Sequence, residues 1–271
     1  MMQPHPRPVD APARDPVVRR PPKVSDRLTW LGHATVLVEL DGVAVLTDPV
    51  LRSRVAHLRR HAATPQPPSR LDAILVSHAH RDHLDLPSLR LLDPRAPVIV
   101  PAGGARVLRR SGRVVHELAP GQTLAFGAVR VTAVPAIHDG RRSPLSRPAP
   151  AVGYLIEASL SVYFAGDTER FDRMADLSGV DVALLPIWGW GPTLGPGHMD
   201  PDEAARAAAA LRPRLVVPIH WGTFLPLWSR GRGGDLLRDP ARVFAARMAE
   251  RAPGVAVRVL APGESVMLAT A

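Results

Sequence analysis

The segment Ser77-His78-Ala79-His80-Arg81-Asp82-His83-Leu84-Asp85 places three imidazoles and one carboxylate within six residues, directly after the apolar run LDAILVS at 71–77. In an extended chain side chains alternate, so His78 and His80 point the same way. Asp82 and His83 follow a turn and can address a second point a few ångströms away. Such donors suit a pair of adjacent divalent metals, and burying them without metal would set several polar groups competing for partners. Further donors stand where predicted strands end: His138 after VTAVPAI, Asp167 after SVYFAG, and His220 after LVVPI and before Trp221-Gly222-Thr223. Strand ends are where a rigid scaffold meets an adaptable loop. Together, five histidines and two aspartates suffice for two metals of three or four protein ligands each, with a position left for water.

The 271 residues include 11 histidines and no cysteine. That excludes a disulfide framework, a thiolate zinc site, an iron–sulfur cluster and a cysteine nucleophile. Any metal must sit on nitrogen and oxygen. The length admits one large α/β domain or two small ones, with about 70–75% of the unfolded surface buried on folding. A formal charge of +9 could attract nucleic acid or an anionic surface. Lys23 is the only lysine, however, and arginine accompanies abundant Ala, Pro, Gly and Val, the profile that GC-rich coding produces. The charge therefore speaks to solubility rather than to chemistry.

The elements that must position these residues begin near Arg27. Residues 1–26 are rich in Pro and Arg, and no apolar run of about 7–15 residues follows, which predicts a disordered tail without a secretory signal. No stretch approaches about 18 consecutive apolar residues, so no transmembrane segment is expected and the protein is read as cytoplasmic. Residues 27–271 form the expected domain. Asp41-Gly42 between two apolar runs signals a hairpin, and residues 50–70 read as a long loop. The run at 71–77 has the continuous apolar character of a strand buried on both faces. Further strands are predicted at 96–100, 113–118, 128–134, 180–187 and in LRPRLVVPIH, with a helix at 87–92. Asp200-Pro201-Asp202-Glu203 reads as a capping box opening an Ala-rich helix to about Leu211. A second helix is predicted from Pro240 to about Arg251, then final strands in VAVRVL and SVMLAT. Two sheet-rich halves, each with helices, predict an α/β fold of two packed mixed sheets covered on their outer faces.

At His78-Ala79-His80-Arg81-Asp82-His83, followed in order by His138, Asp167 and His220, the chain resembles the metallo-β-lactamase superfamily of dinuclear metallohydrolases. The resemblance runs from about residue 28 to the C-terminus. It is closest to the branch of N-acylphosphatidylethanolamine-hydrolysing phospholipase D and L-ascorbate-6-phosphate lactonase, through Thr29 to Thr35, Leu46-Thr47-Asp48-Pro49, Phe164 to Thr168, His198-Met199-Asp200-Pro201 and Ile219 to Phe224. It implies a four-layer αβ/βα sandwich. It also implies that His78, His80 and His138 hold one metal, Asp82, His83 and His220 the other, and Asp167 both. A hydroxide between the metals would attack phosphorus or a carbonyl carbon. Zinc is the expected metal, and manganese or iron suit the same donors.

Other residues join by position. Asp48 could accept the second N–H of a metal-bound histidine, and His33 could play a similar part. Asp82 and His198 are the expected catalytic residues, His198 as proton donor to the leaving group. Arg141 and Arg142 could hold a phosphate or carboxylate, while Trp188 and Trp190 would shape the mouth of the site. His5, His57, His61 and His116 have no role beyond surface or core. The segment Ile187 to Gly197 replaces what the lipid-cleaving relatives carry before His198, and no amphipathic membrane helix stands out. The expected substrate is thus a small or lipid-like phosphodiester, with a sugar lactone or other ester as the alternative. A nucleic-acid-processing or nucleic-acid-binding protein is the reading from another class, although no dedicated nucleic-acid domain is present. A homo-oligomer is allowed.

Overall fold

The computed structural model describes residues 26–142, 146, 149–229 and 233–269. The expected tail lies outside these residues except for Asp26. That residue is buried and accepts hydrogen bonds from the Asp41 backbone N–H and the Ser159 hydroxyl, so it packs with the domain expected to begin at Arg27.

Two seven-stranded mixed sheets form the frame. The first gathers β1 (Arg27–Gly32), β2 (Thr35–Leu40), β3 (Val43–Thr47), β6 (Ala73–Leu75), β7 (Val98–Pro101), β8 (Val115–Leu118) and the C-terminal β17 (Ser265–Met267). The second holds β9 (Thr123–Phe126), β10 (Val129–Pro135), β11 (Val152–Glu157), β12 (Ser161–Phe164), β13 (Val182–Pro186), β14 (Leu215–Ile219) and β16 (Ala256–Val257). The order of the first is β17-β1-β2-β3-β6-β7-β8, and of the second β16-β14-β13-β12-β11-β10-β9. This is the expected sandwich, except that the two final strands part company. β16 extends the second sheet, whereas β17 returns to pair with β1, Arg27 opposite Met267.

The expected hairpin at Asp41-Gly42 joins β2 and β3. β6 lies parallel between β3 and β7, and all three of its residues are buried. One core cluster unites Leu28, Trp30, Val36 and Val38 of the first sheet with Val131, Tyr154, Ile156 and Phe164 of the second. Helices cover the outer faces. α1 (Leu86–Leu89) and α2 (Ala105–Leu108) contribute Leu89 and Leu108 to a second cluster with Leu46, Ile74, Val76 and Val98. α3 (Pro201–Leu211) buries its alanine face and Leu211 over the other sheet, beside Phe244 and Met248 of α4 (Gly233–Arg251). The Asp200 carboxylate accepts the N–H groups of Asp202 and Glu203, and Glu203 reaches back to the Asp200 N–H, as the spacing predicts. α4 begins before its expected start at Pro240, because a single proline forfeits one hydrogen bond and the flanking turns continue the helix.

The expected loop at 50–70 contains a small sheet. β4 (Arg54–Val55) and β5 (Leu58–Arg60) form a hairpin, and β5 pairs with β15 (Phe224–Pro226). Arg60 is buried there and donates to the carbonyls of Leu31, Val50 and Arg52. The hairpin lies at the same end of the molecule as the C-terminal ends of β3, β6, β10, β12 and β14, from which the chemistry-bearing residues emerge.

Candidate metal centre

Asp48 follows β3, the His78–His83 segment follows β6, His138 follows β10, Asp167 follows β12 and His220 follows β14. These ends converge. The inward nitrogens of His78, His80 and His138 lie within 4.8 Å of one another, as do donor atoms of His33, Asp82, His83 and His220. Asp167 sits between the two groups. Its Oδ2 is 3.1 Å from His83 Nε2, 3.8 Å from His78 Nε2 and 4.0 Å from His138 Nε2, and its Oδ1 is 3.1 Å from His220 Nε2.

The outward nitrogens explain how the rings are held. His83 Nδ1 donates to Asp48 Oδ2 at 2.6 Å, His220 Nδ1 to the Trp188 carbonyl at 2.8 Å, and His138 Nδ1 to the Gly197 carbonyl at 2.8 Å. Ser77 Oγ gives its proton to Asp48, so it accepts from His78 Nδ1 at 3.0 Å. A neutral imidazole that donates through one nitrogen presents a lone pair on the other. With both rings neutral, the Nε2 atoms of His83 and His220 turn lone pairs toward each other across 3.1 Å. His138 Nε2, left with its lone pair by the Nδ1 donation, faces His80 Nδ1 at 3.2 Å. His78 Nε2 and Asp167 Oδ1 are buried without a hydrogen-bond partner. Opposed lone pairs and orphaned acceptors are what a cation resolves, so the donor set fits bound metal.

Electrostatics agree. Burial, and then neighbouring imidazoles, hold His78 and His220 well below the usual histidine value, and burial pushes His80 down to about 4, so these rings stay neutral. Burial works against the charge of Asp167, but His220 and His83 outweigh it and keep the carboxyl well below its usual range. Burial likewise opposes Asp82, and the hydrogen bond from His33 Nε2, at 3.2 Å, reverses it. For His83, burial would favour the neutral ring, yet Asp167 and Asp48 raise its value well above normal. The carboxylates demand positive charge at this point. Strain marks the place as well: among the described residues with positive φ that are not glycine, His33, Asp48 and His220 all stand here.

A model of the β-lactamase superfamily domain matches residues 44–221. The chain belongs to the metallo-β-lactamase superfamily. Within it, a UPF0173 metal-dependent hydrolase of Opitutus terrae is 34% identical over 251 residues, covering 89% of this chain and 99% of its own length. The chain is thus a member of the UPF0173 metal-dependent hydrolase family. An N-acyl-phosphatidylethanolamine-hydrolyzing phospholipase D of Caenorhabditis elegans is a more distant homologue, 32% identical over 226 residues, which cover 72% of this chain and 64% of the phospholipase. Igni18, a metallo hydrolase of the archaeon Ignicoccus hospitalis, matches with a TM-score of 0.68 at 25% identity, covering 91% of this chain and 99% of Igni18. The chain spans 59% of the length of an uncharacterised Mycobacterium tuberculosis protein to which it is 36% identical.

In this metallo-β-lactamase-superfamily chain the centre opens into a cavity of about 410 Å³, lined by His80, Asp82, Asp167 and His198 on its floor. His198 Nε2 lies 3.3 Å from Asp167 Oδ2; burial opposes its charge, but this contact lifts the imidazole to about 8. Of the residues expected near substrate, Trp190 and Arg142 line the cavity. Trp188 instead serves through its carbonyl, as the acceptor for His220. Arg141 is drawn away into an ion pair with Asp139, because two residues of separation let the fork close on the nearby carboxylate. Arg142 donates to the carbonyls of Ala79 and Leu84 and so braces the histidine-bearing turn.

Several contributors were invisible to sequence reasoning. Ser77 couples Asp48 to His78, and Glu169 accepts the Gly197 N–H and fixes the loop holding His138. His57, expected to be without a role, lines the cavity. Gly197 adopts φ +80°, and a Cβ there would lie 2.6 Å from His138 Nδ1, so the loop needs glycine to accept that ring. A glycine between a proline and a histidine carried some signal; Ser77 and Glu169 carried none.

Proposed function

We propose that the chain is a dinuclear metal-dependent hydrolase acting on a phosphodiester. The observation that carries it is the pair of buried, unpartnered acceptors, His78 Nε2 and Asp167 Oδ1, inside a shell of clustered imidazoles. His78, His80 and His138 would hold one divalent ion, Asp82, His83 and His220 a second, and Asp167 would serve both. Zinc is the metal we assign. When bound, such ions make a water acidic enough to attack near neutral pH and stabilise charge on the reacting oxygens.

The chain's own groups supply the rest. Asp48, Trp188 O and Gly197 O fix the outward nitrogens and hence the direction of each lone pair. His198, kept protonated near neutral pH by Asp167, stands at the cavity floor to give a proton to the leaving oxygen. A phosphodiester is favoured over a neutral ester by the arginines lining the cavity and by the homology to a phospholipase D. The lipid itself is not carried over.

The test is a panel on the zinc-loaded chain: bis(p-nitrophenyl) phosphate, homoserine and sugar lactones, and N-acylphosphatidylethanolamine. Turnover of the diester, lost in His198→Ala by about 10²–10⁴-fold at retained metal content, is expected. Hydrolysis of the lactones alone would overturn the phosphodiester assignment.

A further inference from the structure

The cavity lining has two unlike parts, an aromatic one that the hydrolytic reading does not use and an arginine-bearing one that it uses only for its charge. One is the β4–β5 hairpin, which offers Val55, Ala56, His57 and Leu58, with Trp190 beside it. The His57 and Trp190 rings meet edge to face, with centroids 4.8 Å apart. Trp228 is 65% exposed and lies outside the cavity lining, yet it stacks on His57 at 5.1 Å and 13°. An exposed indole spent on one imidazole holds that ring in place. The hairpin itself is anchored, since Val55 and Leu58 pack with Val50 and Phe224 and Trp190 rests on that cluster.

The same cavity also carries cations. Arg81 and Arg142 both line the cavity. Arg142 is committed to the Ala79 and Leu84 carbonyls. Arg81 is exposed and forms no ion pair or hydrogen bond among the described residues, so its guanidinium is available to a ligand. A cation in the lining of a catalytic cavity that also presents aromatic rings matches a ligand with both features.

We propose that Arg81 pairs with the negative charge of the substrate while the His57–Trp190 wall seats a planar aromatic ring on it, Trp228 acting as the positioning residue for His57. The substrate class is then an aryl or heteroaryl ester of an acid that stays anionic. This rests on the hydrolase reading for its chemistry but not for its binding. A guanidinium meeting an anion makes charge-assisted hydrogen bonds, and rings prefer offset or edge-to-face packing of the kind already present in the wall.

The experiment measures phenylphosphonate and methylphosphonate binding to the zinc-loaded chain by calorimetry, alongside turnover of bis(p-nitrophenyl) phosphate and methyl p-nitrophenyl phosphate. Arg81→Gln should weaken both phosphonates about tenfold and raise KM for both diesters with kcat little changed. Arg81→Lys should recover most of that loss. His57→Ala and Trp228→Ala should weaken phenylphosphonate about fivefold and leave methylphosphonate unmoved. Metal content, measured on each variant, should equal that of the wild type. Unchanged phosphonate binding in Arg81→Gln, or equal losses for both phosphonates in His57→Ala, would overturn the proposal. Absence of any diester turnover by the metal-loaded wild type would instead defeat the hydrolase reading, and the calorimetry would still decide the two parts of the lining.

Discussion

Asp48 accepts the Ser77 N–H at 2.7 Å, the Ser77 hydroxyl at 2.6 Å and His83 Nδ1 at 2.6 Å, all with no exposure to solvent. An amide in its place could accept through one oxygen only and would turn a donor toward Ser77 or His83. Asp48→Asn should therefore weaken metal binding about 10–100-fold, read by competition with a chelator. Gly166, the residue before Asp167, adopts φ +62°, and a Cβ there would lie 2.6 Å from the Ser77 Cβ. Gly166→Ala should cost on the order of 2–4 kcal/mol, read as a lower Tm of the metal-free chain. The clustering of these donors was legible because His78 to His83 are local in sequence and their alternation is geometric. Asp48 and Ser77 are 29 residues apart. Their bond exists only once β3 and β6 lie side by side, so Ser77 gave no sign of its part.

At the scale of elements, local grammar was legible where it was strong. The capping box at Asp200 and the Asp-Gly hairpin at 41–42 form where the sequence places them, because each depends on neighbours within a few residues. Asp200→Ala should lower stability by about 1 kcal/mol in urea unfolding. The β4–β5 hairpin was not legible, since its strands are two and three residues long and one inward position is arginine. Burial lowers the Arg60 guanidinium to about 10, and Phe224 packs 4.8 Å from it. Its three carbonyl acceptors lie on two segments, so it ties the hairpin to β1 and to the residues after β3. Arg60→Met keeps much of the volume and strands those acceptors. It should destabilise the fold by about 3 kcal/mol and loosen the wall that carries His57.

For the whole molecule, the centre is a seam. Asp48 and His78 to His83 come from one sheet, and His138, Asp167 and His220 from the other. Ions bound by both sets would fasten the two sheets together. Chelation should therefore lower Tm, and added zinc should restore it, by about 4 kcal/mol at a thousandfold excess over Kd. The two-sheet class was legible from the strand-rich halves and the family resemblance. The return of β17 to β1 was not, because three half-exposed residues carry no pattern that names a partner. The +9 charge informed neither fold nor site beyond the arginines in the cavity lining. The proposed hydrolase requires two ions held by five histidines and two aspartates, and elemental analysis of the purified chain tests this most directly. The account predicts two divalent ions per wild-type chain and the loss of most bound metal in His80→Ala and in Asp167→Ala. A full metal complement in both variants would contradict it.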